Sequence, residues 1–246
     1  STVEECFEFT ANAFNLAEIY QCPVILLTEQ VLAQNKYVAS KFDYSKIEIN
    51  RGKLLSESEL NKPGYKFLRY EYCEDGVSPR AVPSQKGGVH LCNGNEHLET
   101  GRITENPSLR TKITDKRMKK IESAVSSKYL PRPKYYGDAG ARIGVMAIGS
   151  NVPAAAEALD IIADKTGRRG FKIMQITSLM PFCDKEAADF ISKCDKVFVI
   201  ENNYSAQLCG LIKMRLPVHE KLIPVLKYDG NSFSAAEIAE KLMEVE

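Results

Sequence analysis

Short apolar runs alternate with helix-periodic stretches through the C-terminal part of the chain, from about Ala139 to Glu246. RIGVMAIG (Arg142 to Gly149), FKIMQIT (Phe171 to Thr177), KVFVIE (Lys196 to Glu201) and IPVLKYD (Ile223 to Asp229) are brief and nearly all apolar. Strands covered on both faces look this way. Helices are expected between them. One starts at Asn151 and Pro153, turns Ala155, Leu159 and Ile162 inward and stops near Gly167. Others span about Asp184 to Lys193 and Ser205 to Arg215, and Ser234 caps a last one. This alternation predicts an α/β domain with a parallel sheet and right-handed crossovers.

The two preceding pieces are less regular. From Ser1 to about Gln34, Thr2 and Glu5 form a capping box, and Phe7, Phe14 and Ala17 make an apolar helical stripe. Cys22-Pro23 ends that helix, and VILLT (Val24 to Thr28) is expected to be a buried strand. One helix and one strand bury too little to form a core. This piece is therefore expected to pack on sequence preceding Ser1 or on another chain, with Ser1 following a cleavage or truncation. From about Asn35 to Asp138 the chain is loop-rich, with one expected strand, FLRYEY (Phe67 to Tyr72). Asn106-Pro107 signals a helix start. That helix carries Leu109, Ile113, Ile121 and Val125 on one face. Its other face, Arg110, Lys112, Lys116, Arg117, Lys119 and Lys120, is expected to be solvated. PRPKYYGDAG (Pro131 to Gly140) is expected to be a linker.

Composition narrows the classes. The 246 residues are 44% hydrophobic and 26% charged, ordinary for a globular protein. A net charge of +1 argues against a nucleic-acid partner. No apolar run reaches the roughly 18 residues of a membrane helix, and the acidic start is unlike a signal peptide. The seven cysteines, Cys6, Cys22, Cys73, Cys92, Cys183, Cys194 and Cys209, include no CxxC pair. They suit free thiols in a reducing cytoplasm better than a zinc or iron–sulfur site.

Ligands of open α/β sheets gather at the carboxyl ends of the strands. Gly149-Ser150-Asn151 lies there and could offer helix amides to an anion, although it lacks the GxGxxG pattern of a nucleotide-binding enzyme. Leu179 to Phe182 reads as packing, and Glu201-Asn202-Asn203 as a polar turn suited to capping or to an interface. In the loop-rich piece, the turn Glu74-Asp75-Gly76-Val77-Ser78-Pro79-Arg80 ends in an arginine behind a rigid proline. Such a guanidinium suits a carboxylate or phosphate, or a salt bridge to a neighbouring acid. Gly94-Asn95-Glu96-His97 holds one of three histidines, the others being His90 and His219. Glu96 and His97 suit proton transfer, or a structural role. No catalytic triad assembles, and the catalytic residues stay unassigned.

Taken in order, several stretches resemble one family. EECFEFTANAFNLAEIYQCPVILLTE resembles the end of the pyrimidine-binding domain of 2-oxoacid:ferredoxin oxidoreductase alpha subunits. RYEYCEDGVSPRAVP and GNEHLETGRITENPSLRTKITDKRMKKIE resemble that family's middle region, most like 2-oxoglutarate-type members. The stretch after GSNVPAAAEAL, with VFVIENNYSAQL, resembles its transketolase C-terminal-like domain. The resemblance implies three parts: the tail of the pyrimidine domain over residues 1–34, a connecting region over 35–138 and the α/β domain over 139–246. It also implies an activity: oxidative decarboxylation of a 2-oxoacid on thiamine diphosphate, electron transfer to ferredoxin and formation of an acyl-CoA. Thiamine diphosphate, Mg and the iron–sulfur cluster would sit mainly on a beta subunit, with none on this chain alone. Arg80 would contact the 2-oxoacid carboxylate or CoA, and Asn95, Glu96 and His97 would lie near the interface or active-site mouth. Ser84, Leu98 and Ala206 depart from the family pattern, glycine being expected at Ser84 and Ala206 and an acid at Leu98. The alternative is a non-catalytic module used for dimerisation or partner binding.

Overall fold

The computed structural model describes residues 1–167 and 169–244, without the side chain of His219. The Glu246 boundary and that side chain therefore lie outside the described residues. The elements in order are α1 (Val3–Tyr20), α2 (Gln30–Gln34), α3 (Glu57–Leu60), α4 (Pro107–Ala124), β1 (Lys134–Gly137), β2 (Ile143–Ala147), α5 (Asn151–Thr166), β3 (Phe171–Gln175), α6 (Asp184–Ser192), β4 (Lys196–Glu201), α7 (Gln207–Arg215), β5 (Leu222–Leu226) and α8 (Ala235–Glu244). They divide into two units. One comprises Ser1–Phe9, Leu27–Phe42 and Pro131–Glu246, the other Thr10–Leu26 and Asp43–Leu130.

The first unit is built on a sheet of order β1-β3-β2-β4-β5. The four expected strands are parallel, with Val145 of β2 opposite Ile173 of β3 and Phe198 of β4. Successive side chains point to opposite faces, and here both faces are covered. Val145, Ile173, Phe198 and Ile200 pack with Ala155 and Ile162 of α5 and Ile238 and Leu242 of α8. Met146, Met174, Val197 and Val199 pack with Ile191 of α6 and Leu208 and Ile212 of α7. Two-sided burial is why these strands are unbroken apolar runs rather than alternating ones. Local signals agree. Thr2 and Glu5 exchange hydrogen bonds at the start of α1, as do Ser234 and Glu237 before α8. Gly167 ends α5 in the left-handed region.

The expected linker is partly a strand. Lys134–Gly137 forms β1, antiparallel to β3 at the sheet edge. All four residues are exposed, so no apolar pattern announced it. Val24 to Thr28 forms no strand: Ile25 and Leu27 are 80% and 69% exposed, and no described strand lies beside them to complete a ladder. A strand exists only through its neighbours, so an apolar run alone is insufficient.

The second unit is mostly loop around α4 and the C-terminal half of α1. Asn106 caps α4 through Ser108 and Leu109, with Pro107 in the first turn. Leu16, Leu60, Val77, Ile113, Tyr129 and Leu130 are buried. Backbone groups without a ladder must find other partners, and side-chain amides supply them. Buried Asn15 donates to the Glu48 carbonyl (2.8 Å) and accepts from Asn50 N–H (2.8 Å). Gln21 donates to the Ser78 carbonyl at 2.6 Å. Phe67 to Tyr72 is likewise a turn, not the expected strand: Glu99 takes the N–H groups of Tyr70 and Tyr72 with its carbonyl and carboxylate. Among the described residues no helix is long and apolar enough to cross a membrane.

Candidate functional site

The Asp75–Arg80 turn lies against α4. Gly76 has φ +76°, and a Cβ there would fall 2.5 Å from the Lys116 carbonyl oxygen and 2.7 Å from Lys120 N. Only glycine permits this approach. Asp75 accepts from Val77 N–H and from Lys53 Nζ, which fixes the turn. Ser78 is buried; its hydroxyl donates to the Glu71 carbonyl and accepts from Lys116 Nζ at 2.5 Å.

The Arg80 guanidinium is held by two partners through a single nitrogen. Its Nη2 donates to Glu18 Oε2 of α1 and, at 3.0 Å, to the Arg51 carbonyl. Arg51 Nε donates to that same Glu18 oxygen at 2.6 Å. Arg80 Nε is buried and has no hydrogen-bond partner among the described residues. The salt bridge weighed from sequence is therefore present, yet the guanidinium is only partly satisfied.

Asn95, Glu96 and His97 sit in the same unit. Glu96 pairs with Arg117 of α4. His97 Nδ1 lies 2.7 Å from the Asn95 carbonyl, and its ring is 3.8 Å from that of Tyr70. Helix α4 thus binds both motifs, the DGVSPR turn through Lys116 and the GNEH loop through Arg117. Its basic face is not uniformly solvated as expected. Arg110, Lys112, Arg117 and Lys119 are exposed, whereas Lys116 and Lys120 turn inward. Lys116 donates to the Tyr70 carbonyl at 2.9 Å and Lys120 to the Gln21 carbonyl at 3.3 Å. Loop carbonyls draw these amines in. Burial pushes the Lys116 amine down to about 8 and lowers that of Lys120.

The sign for stability follows from that depression. Between about pH 8 and 10.5 the unfolded chain binds more protons at Lys116 than the folded one, so stability at this site rises with pH there. Stability should climb more steeply with pH in the wild type than in Lys116→Met, which keeps only the contribution of Lys120 and other groups. Equal slopes for the two proteins, from urea unfolding at several pH values, would contradict it.

The remaining candidates are in the first unit. Glu201, 2% exposed, accepts from Leu208 N–H (2.6 Å), Cys209 N–H (2.9 Å) and Asn203 Nδ2 (2.8 Å). Asn203 Oδ1 accepts from Gln207 N–H, and Asn202 is exposed. This turn therefore caps α7. At the Gly149 turn, a carboxylate oxygen of Glu29 accepts from Ser150 N–H. The chain thus supplies its own anion where an external one was considered.

Sequence reasoning did not single out Glu18, Arg51, Lys116 or Glu29. Glu18 left one trace: a lone acid between Leu16-Ala17 and Ile19 in an otherwise apolar helical stretch. Among the described residues no three His, Cys, Asp or Glu side chains converge as metal ligands.

The fold and site define an α/β domain joined to a loop-built unit that presents a part-satisfied arginine. Comparison with known proteins specifies this further. No family model matches. The alpha subunit of 2-oxoacid:ferredoxin oxidoreductase 1 of Sulfurisphaera tokodaii is 33% identical over 247 residues, covering 98% of this chain and 37% of that protein. 2-Oxoglutarate synthase subunit KorA of Methanothermobacter marburgensis is 27% identical, covering 99% of this chain and 62% of that one. Among solved structures, the 2-oxoglutarate:ferredoxin oxidoreductase of Magnetococcus marinus, with 2-oxoglutarate, coenzyme A and succinyl-CoA bound, matches with a TM-score of 0.89 at 27% identity, over 99% of this chain and 41% of that one. The chain corresponds to a stretch of the alpha subunit of 2-oxoacid:ferredoxin oxidoreductases, as its ordered motifs implied, and spans just over a third of the first of these relatives.

Proposed function

We propose that this chain works as part of the alpha subunit of a 2-oxoacid:ferredoxin oxidoreductase, with 2-oxoglutarate as the favoured substrate. The observation that carries this reading is the match to alpha subunits along nearly the whole chain, through both units. In that reading the complex decarboxylates a 2-oxoacid oxidatively, passes electrons to ferredoxin and forms an acyl-CoA. It is cytoplasmic and hetero-oligomeric, and a beta subunit is the partner.

The residues present do not fit the family's inorganic cofactors. No ligand set for Mg or for an iron–sulfur cluster assembles among the described residues, and no disulfide joins the cysteines. We assign thiamine diphosphate, Mg and the cluster to the rest of the complex. This chain's own contribution is binding. Arg80 is the candidate contact for the 2-oxoacid carboxylate or for CoA, with Asn95, Glu96 and His97 on a loop at the site or the subunit interface.

Arg80→Ala, made in the assembled complex, is the test. A charge-assisted hydrogen bond to an anion contributes about 1.5–3 kcal/mol, so KM for the 2-oxoacid or CoA should rise roughly ten- to hundredfold, more than kcat falls. Unchanged KM for both would remove Arg80 from the site. Failure of the complete subunit to copurify with a thiamine-binding, cysteine-rich partner would favour the non-catalytic module instead.

A further inference from the structure

Arg80 is engaged differently from Arg142 and Arg215. Arg142 meets Asp195 with both Nε (2.9 Å) and Nη2, one on each carboxylate oxygen. Arg215 meets Asp184 in the same way, its Nε at 2.6 Å. That two-pronged fit is the favoured one between a guanidinium and a carboxylate. At Arg80 the carboxylate of Glu18 takes Nη2 alone, and the neighbouring Nε–H is left buried and unbonded. The cause is geometric: the Glu18 oxygen that faces Arg80 is shared with Arg51 Nε. Arg51 draws Glu18 aside, while the Arg51 carbonyl holds the other hydrogen of Nη2.

A buried N–H without an acceptor has lost its hydration with nothing in return, and folded proteins seldom leave one so. We infer that Glu18 and Arg51 are positioning residues that keep Arg80 half-engaged, so that its Nε–H is reserved for a carboxylate oxygen of the 2-oxoacid. This rests on the reading of Arg80 as a substrate contact. Glu18 fixes the plane of the guanidinium and competes for its unbonded Nε–H. Arg51 limits that competition. The ligand oxygen then restores the missing hydrogen bond instead of displacing an ion pair.

The two residues therefore act with opposite sign. In the assembled complex, with 2-oxoglutarate varied, Arg51→Met releases Glu18 to close onto both nitrogens of Arg80. KM should rise by roughly tenfold, the worth of about one such hydrogen bond, with kcat within about twofold. Glu18→Gln keeps an oxygen on Nη2 but removes the competing charge, so KM should fall. The double variant should lie near Glu18→Gln, because Arg51 acts through Glu18. A merely structural role would move both single variants the same way, and that result overturns the inference, as does a KM for Arg51→Met within twofold of the wild type. If Arg80→Ala itself leaves KM unchanged, the parent reading fails; if Arg80→Ala raises KM while the other two do not diverge, only the positioning roles fail. Arg51 is 54% exposed at its side chain, so its replacement does not open the core, and Arg51→Gln provides a second removal of the charge.

Discussion

Glu201→Ala should destabilise the α/β unit by about 2–6 kcal/mol, since two buried backbone N–H groups lose their acceptor and each unpaired group costs roughly 1–3 kcal/mol. The acceptor is unusual in its source. Helix α7 is preceded at its N-cap by Ala206, whose side chain has no oxygen to offer. Leu208 and Cys209 therefore turn to the end of β4, where the Glu201 carboxylate reaches across. A negative charge at a helix start adds a favourable interaction with the helix dipole. Glu201→Gln keeps one acceptor and turns an amide toward donors, so it should lose roughly half as much by the same reasoning. Chemical denaturation followed by circular dichroism measures both. A loss below about 1 kcal/mol for the alanine variant would mean that water takes over the two N–H groups.

Gly76→Ala should be a costly change in the loop-built unit despite its small size. Alanine at φ +76° pays about 1–2 kcal/mol for the left-handed backbone alone. Its methyl would also meet backbone atoms of α4, which cannot rotate aside as a side chain can; overpacking of this kind costs roughly 1–3 kcal/mol more. The sum corresponds to a fall in thermal midpoint of order 5–15 °C for a protein of this size. Gly64 separates the two effects, because it has φ +79° with nothing within 4 Å of its would-be Cβ. Gly64→Ala should show the backbone part alone. Equal losses for the two variants would refute the close packing of the DGVSPR turn on α4.

The parallel sheet was legible because two-sided burial writes itself as unbroken apolar runs, and Ser234, Asn106 and Thr2 marked helix starts by chemistry that acts within four residues. Edge strand β1 was not legible, since exposed residues carry no burial pattern. FLRYEY misled for the converse reason: its aromatic content favours a strand, but Glu99, distant in sequence, takes the backbone groups a ladder would use. Ser84 and Ala206 are instructive departures. Both stand where glycine was expected, and both adopt positive φ, at +73° and +52°. The backbone keeps the geometry although the residue best suited to it is gone. At the candidate site, the motif pointed to Arg80. Its partners Glu18 and Arg51 come from stretches 62 and 29 residues away, a relation that no local pattern encodes.

The Glu29 carboxylate at the start of α5 has a consequence for anions in solution. Being tethered to the same unit, it presents itself to Ser150 N–H at an effective concentration on the order of millimolar or above. A free phosphate or nucleotide has to outcompete that built-in ligand for the Ser150 N–H. Selectivity at this strand end is thus set by occupancy: the chain has already filled the place, and newcomers without further contacts of their own are kept out by mass action.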